Sequence, residues 1–303
     1  MDDSPSPERL VSGLVRLLTV DPQGEDRFVG RRKKGGIGRV FGGEVIAQAL
    51  AAAEATVDPA RPPHSLHAYF LRGGSEEHPS DYTVSRDFDG GSFSNRRVTA
   101  TQQGRPILTL SASFHKSEPG LHHQDAAMPD VPGPDELAAE SDMRARFLDD
   151  ATPAQRHMFT RPRPVEFRTL EARHWMSKAP ALPVLHTWFR AVAPLPDEPR
   201  VHRAVLAWAS DMMLLGTSML PHGRSPARGE MAAASLDHAL WFHEDCRVDD
   251  WLLYATDSPW TGHARGFNRG RIFTRDGRLV ASVAQEGMIR LAKEKSEHSN
   301  SSG

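Results

Sequence analysis

Cysteine is all but missing: Cys246 is the only one in 303 residues. A lone thiol closes no internal disulfide and builds no Cys-based zinc cluster, which fits a reducing compartment. Charge of one sign is missing too. The formal net charge is -2, so neither a basic groove for nucleic acid nor an acidic tail for a basic partner is expected. No apolar stretch approaches the ~18 residues of a membrane span. The opening residues Met1 to Arg9 carry no basic segment followed by an apolar one, so no secretory signal is expected. The closing residues 293–303 form a polar tail expected to fray. They do not spell a Ser-Lys-Leu address, and the expected location is cytoplasmic. Several chemistries lack their motifs. No serine lies in a Gly-x-Ser-x-Gly elbow and no His-Glu-x-x-His is present, which removes support for a nucleophilic serine hydrolase and a zincin. Gly36-Ile37-Gly38 lacks a third glycine and follows Arg31-Arg32-Lys33-Lys34 instead of an apolar strand, so the dinucleotide-loop context fails.

What is present is a globular composition, 39% apolar and 25% charged, in a chain long enough for two domains. A weak internal repeat divides it. In the first half Glu44–Glu54, rich in Ala, Val, Ile and Leu, reads as a helix buried on most sides. Strands follow at Ser65–Phe70, Tyr82–Phe88, Ser94–Thr101 and Arg105–Phe114, with turns at Asp89-Gly90-Gly91 and Gln103-Gly104. In the second half a helical run covers about Val201 to Leu220. Strands follow at Ser235–Phe242, Trp251–Thr256, Ala264–Thr274 and Arg278–Ile289. One helix and about four antiparallel strands, twice, predict an α+β fold in which each sheet wraps a helix. The expected division is residues 1–118, a Pro-rich and acidic linker 119–164 with a short helix near Pro134–Leu148, residues 165–292, and the tail.

Three residues stand out for chemistry. Asp211 shares a helix face with Val201, Val205, Trp208, Met212 and Leu215. A carboxylate on such a face is costly unless paired or used, the alternative being a helix break that Asp211 caps. Gln285 interrupts the strand face Leu279, Ala281, Val283, Gly287, Ile289. Its amide could orient a water or bond a neighbouring backbone group. Ser235 opens a strand, an ordinary place for a serine. The pairs His64/His67 and His238/His243 sit at odd separations, so their members face opposite sides of a regular strand and make no metal clamp. The same parity separates Asp237 from His238.

The segments that carry these residues resemble the acyl-CoA thioesterase II family. The match runs through Gly38-Arg39-Val40-Phe41-Gly42-Gly43-Glu44-Val45, His64-Ser65-Leu66-His67-Ala68-Tyr69-Phe70 and Asp89-Gly90-Gly91-Ser92-Phe93-Ser94-Asn95-Arg96-Arg97-Val98. It continues through Ala209-Ser210-Asp211, Ser235-Leu236-Asp237-His238, Ala264-Arg265-Gly266 and Val283-Ala284-Gln285-Glu286-Gly287. The resemblance implies a tandem, or double, hot-dog fold. It also implies hydrolysis of fatty acyl-CoA to free fatty acid and CoA, with a water held by Asp211, Ser235 and Gln285 and no cofactor or metal. Gly43 stands near the place of Asp211 in the first half, so that half is expected to shape the acyl tunnel or an interface. Exposed sheet edges favour a homo-oligomer. The alternatives are a non-catalytic acyl-CoA binding protein and a hot-dog enoyl-CoA hydratase or dehydratase.

Overall fold

A computed structural model describes residues 5–33, 38–146, 148, 156 and 160–292. The tail 293–303 and most of Gly36-Ile37-Gly38 lie outside these residues. The first half opens with α1 (Pro7–Leu17), begun by Pro at its first position and capped by the Ser6 hydroxyl. Strands β1 (Val20–Pro22) and β2 (Arg27–Gly30) follow, then α2 (Gly42–Glu54), β3 (Pro63–Phe70), β4 (Asp81–Asp89), β5 (Phe93–Gln102) and β6 (Arg105–His115). The linker contributes a 3-10 turn at Pro134–Glu136 and α3 (Glu140–Ala145). The second half contains β7 (Val165–Thr169), β8 (Val184–Ala191), α4 (Pro199–Met213) and a 3-10 run at Leu215–His222. It closes with β9 (Met231–Ser235), β10 (Asp237–Phe242), β11 (Leu252–Gly262), β12 (Arg265–Thr274) and β13 (Leu279–Leu291).

The strands form one antiparallel sheet in the order β1-β2-β4-β5-β6-β3-β10-β13-β12-β11-β8-β7, with β9 added to β13. The halves join where β3 pairs with β10, Leu66 opposite Leu240. Alternation along each strand sends one set of side chains inward: Val98, Leu110, Phe114, Leu240, Tyr254 and Ile272 are all buried. Against this face lie α2 and α4. Nearly every residue of α2 is buried, as its mostly apolar composition requires. The stretch Pro199–His222 is long and apolar enough for a membrane span, contrary to the reading that none exists. It is mostly buried inside the protein, and its apolarity serves the core.

The linker is fastened to the second half. Gln124 bonds the backbone of Gly277 and Leu279, and Trp188 donates its indole N–H to the Pro132 carbonyl. Met128, Val131 and Leu137 pack against a cluster of Trp188, Trp251 and Phe273. The expected strand Ser235–Phe242 is broken at Leu236. Ser235 lies opposite Gly287, whereas Ala239 lies opposite Ala284. The register therefore slips by one residue, a β-bulge. The Asp237 carboxylate accepts the Glu286 N–H at 2.7 Å beside it.

Candidate active site

The bulge at Leu236 reverses the parity of the strand that follows. Ser235 and His238 thus come to one face despite their odd separation. Next to the pair Ala239 and Ala284, His238 lies against Gln285 of β13, and Asn268 of β12 is the other neighbour of Gln285. His238, Gln285 and Asn268 make a buried polar row across three strands, beneath the last turn of α4.

Asp211 points down from that turn, its side chain only 4% exposed. The Gln285 Nε2 donates to Asp211 Oδ1 at 2.6 Å and lies 3.2 Å from His238 Nδ1. The carboxylate fixes the amide orientation, because a flipped amide would set oxygen against oxygen. His238 Nδ1 then accepts, and its Nε2–H donates to the Ser210 hydroxyl at 2.9 Å. Ser210 passes its own hydrogen to the Ala207 carbonyl at 3.0 Å. Every donor in this chain has an acceptor only if His238 is neutral. Burial drives its pKa down, against the pull of Asp211. Tyr254 holds the same turn by donating to the Ser210 carbonyl. One atom is left over: Gln285 Oε1 is buried and has no partner.

The other wall is the start of α2. A Cβ on Gly42 would stand 2.8 Å from Asp211 Oδ2, and one on Gly43 would stand 2.5 Å from the Trp208 carbonyl oxygen. Phe41, the N-cap, makes no side-chain cap, and the first amides to return to it are those of Glu44 and Val45. Among the described residues the N–H groups of Gly42 and Gly43 make no hydrogen bond, at the positive end of a helix and next to a carboxylate. The structure thus brings Asp211 and Gln285 into direct contact. Ser235 shares their face through its pairing with Gly287, but its hydroxyl makes no hydrogen bond among the described residues.

The place assigned to Gly43 is corrected. Glu54 is the thirteenth residue of α2, as Asp211 is of α4. Glu54 is tied to Arg203 at 3.2 Å, and burial lifts its pKa against the pull of Arg203. Gly43 instead lets the two helices touch. His238 was set aside on strand parity and Ser210 was not singled out; the usable signal was a histidine in register with Leu240 on an inward face.

Glu44, the third residue of α2, was also missed. It is 6% exposed. Burial raises its carboxyl to about 7, with Lys33 pulling it down and Glu76 pushing it up. Its folded pKa exceeds the unfolded one, so its contribution to stability falls as pH rises from about 4.5 through about 7. Glu44→Gln mimics the protonated form. Urea unfolding should show the variant gaining about 1–3 kcal/mol on wild type between pH 5 and pH 8. A pH-independent difference would contradict this.

A family model described as acyl-CoA thioesterase matches residues 155–288, and one described as acyl-CoA thioesterase N-terminal domain matches residues 31–115. The chain belongs to the acyl-CoA thioesterase family. Human acyl-coenzyme A thioesterase 8 is 36% identical over 98% of this thioesterase chain and 95% of its own. An acyl-CoA thioesterase II from Mycobacterium marinum superposes with a TM-score of 0.75 at 37% identity, covering 92% of this chain and 99% of that one. A hot-dog protein from Alicyclobacillus acidocaldarius has a TM-score of 0.72 at 18% identity, covering 93% and 99%. The fold is thus a tandem hot-dog. A cleft of about 660 Å³ near the start of α4 is lined by Arg190, His202 and Arg247 and by none of the site residues above.

Proposed function

We propose that this thioesterase hydrolyses fatty acyl-CoA with a water that Asp211 deprotonates and Gln285 and Ser235 hold. The observation that carries the reading is the buried, unpartnered Gln285 Oε1 beside a carboxylate. A water there donates one hydrogen to Gln285 Oε1 and the other to Asp211 Oδ2, the oxygen not taken by the amide. Its lone pair is left to attack the thioester carbonyl. Ser235, on the same face and opposite Gly287, two residues along β13 from Gln285, is a third hydrogen-bonding group.

As the water oxygen adds to the carbonyl carbon, its proton passes to Asp211. The carbonyl oxygen becomes an oxyanion, which the N–H groups of Gly42 and Gly43 can receive at the α2 N-terminus. The C–S bond then breaks and the thiolate leaves. A thiol of pKa about 8.5 needs little acid help, and Asp211 can return the proton to sulfur. The products are a fatty acid and CoA.

Gln285→Met keeps the length of the side chain and removes both polar atoms. Thiol release should fall about 100-fold or more, near the cost of losing one oriented donor elsewhere. Ser235→Ala should cost less, since among the described residues Ser235 hydrogen-bonds neither Asp211 nor Gln285. Parallel assays of the two variants check the order, and the reverse order would remove Gln285 from its role.

One observation favours a second reading. His238 Nδ1 lies 3.9 Å from Asp211 Oδ1, a His–Asp pair of the kind a dehydratase uses. But His238 is fully buried, and both ring nitrogens are engaged, by Gln285 and Ser210. It has no nitrogen left for a substrate proton. Crotonyl-CoA hydration above background, followed at the enoyl absorbance, would favour the dehydratase.

A further inference from the structure

The linker and the loop after β7 gather arginines round a single carboxylate. Glu140 opens α3, and Arg144 one turn later bonds its Oε1 through Nη2 and, at 3.0 Å, through Nε. Arg173 donates Nη1 to the same oxygen at 2.7 Å. Arg163, two residues before β7, lies within the electrostatic reach of Glu140, Arg144, Arg173 and Arg161. Among the described residues it makes no ion pair, and its Nε is buried without a partner, as is Glu140 Oε2. Burial and Arg144 bring Arg163 down to about 9, so it is still a cation at neutral pH.

One carboxylate cannot balance these cations. A half-buried guanidinium whose Nε is buried without a partner, sharing one carboxylate with two other arginines, is costly, and the like charges repel one another. An anion from outside the chain would relieve both. The planar fork of arginine matches phosphate oxygens in pairs. Arg173 also stands beside two cavities. Arg173 lines a cleft of about 460 Å³ with His174, Pro180, Leu182, Val184 and Leu220. It also borders a cavity of about 60 Å³ at Met212 and Met213, the two residues that follow Asp211.

We propose that Arg163, with Arg144 and Arg173, binds the phosphate groups of CoA, and that the cleft beside Arg173 carries the uncharged pantetheine arm toward Asp211. This rests on the thioesterase reading above. It names the part of the substrate, remote from the thioester, that sets binding.

The test compares an acyl-CoA with the acyl-pantetheine of the same chain, which has the thioester and lacks the nucleotide phosphates. Wild type should favour the CoA ester in kcat/KM. In Arg163→Gln that advantage should shrink roughly 10- to 100-fold, through KM and not kcat. Arg163→Lys, which keeps the charge but not the fork, should restore part of it. An unchanged ratio between the esters in Arg163→Gln, or an equal loss on both, overturns the proposal. Should Arg163→Gln not fold, Arg163→Lys carries the comparison with a smaller expected loss, and an unchanged ratio there overturns it too. Inorganic phosphate inhibiting both esters alike would mark a site for free anions and also overturn it. Wild-type hydrolysis of acyl-pantetheine reports separately on the thioesterase reading: if it proceeds while the ratio stays fixed, only the phosphate site is lost. If neither ester is hydrolysed, both readings fall.

Discussion

Asp211→Asn is expected to lower kcat for acyl-CoA hydrolysis by about 10²- to 10⁴-fold with little change in stability or KM. The substitution is nearly isosteric. The asparagine carbonyl can still accept the Gln285 N–H that now ends on Oδ1 at 2.6 Å, so the row of His238, Gln285 and Asn268 stays satisfied. What disappears is the capacity to take a proton from water, together with the negative charge facing the first amides of α2. Thiol release across acyl-CoAs from short to long, with circular dichroism and thermal melts on the same preparations, separates chemistry from folding. A fully active, folded variant would leave the family membership intact and remove Asp211 as the base. Binding of acyl-CoA without thiol release by wild type itself would instead favour an acyl-CoA binding protein.

The fold was legible in the long strands of both halves. The strands β4, β5, β6, β12 and β13 begin and end within two residues of the alternating runs in the sequence. The buried α2 announced itself by apolar residues on most of its sides. Helix α1 and strand β8 were missed although both carry buried apolar residues, and so were short strands. Short β1 and β2, and β7 with its alternating charged residues Glu166 and Arg168, carry no pattern that outweighs a loop. They exist because long neighbours offer them hydrogen-bonding edges. Asp211 and Gln285 were visible because each breaks an apolar face, and a buried polar group demands a partner. Here each partners the other. His238 was hidden for a definite reason: side-chain parity holds along a strand only until a bulge. The slip at Leu236 is a property of the pairing with β13, not of residues 235–238 alone. The closeness of α2 to α4 was likewise invisible, because two helices distant in sequence meet at glycines whose significance is the absence of a side chain.

Those glycines yield the second large effect. Gly42 and Gly43 are adjacent, but a methyl group on each meets a different obstacle. On Gly43 it would lie 2.5 Å from the Trp208 carbonyl oxygen and 2.6 Å from the Phe41 ring. The first is backbone of α4 and cannot swing aside, so Gly43→Ala forces the two central helices apart. A loss on the order of 1–3 kcal/mol is expected, as for other overpacked cores. On Gly42 the methyl would lie 2.8 Å from Asp211 Oδ2 and 2.9 Å from the Phe70 ring. Both are side chains that can move, so the stability cost should be the smaller. Yet the group displaced is the carboxylate that must meet the water. A shift of about 1 Å at such a point can cost about 100-fold in rate. Gly42→Ala should therefore fold well and turn over poorly, while Gly43→Ala should lose stability first. Urea midpoints and thiol-release rates on the two variants decide the matter. If Gly42→Ala keeps wild-type kcat, the carboxylate and the start of α2 are not the two walls of the site.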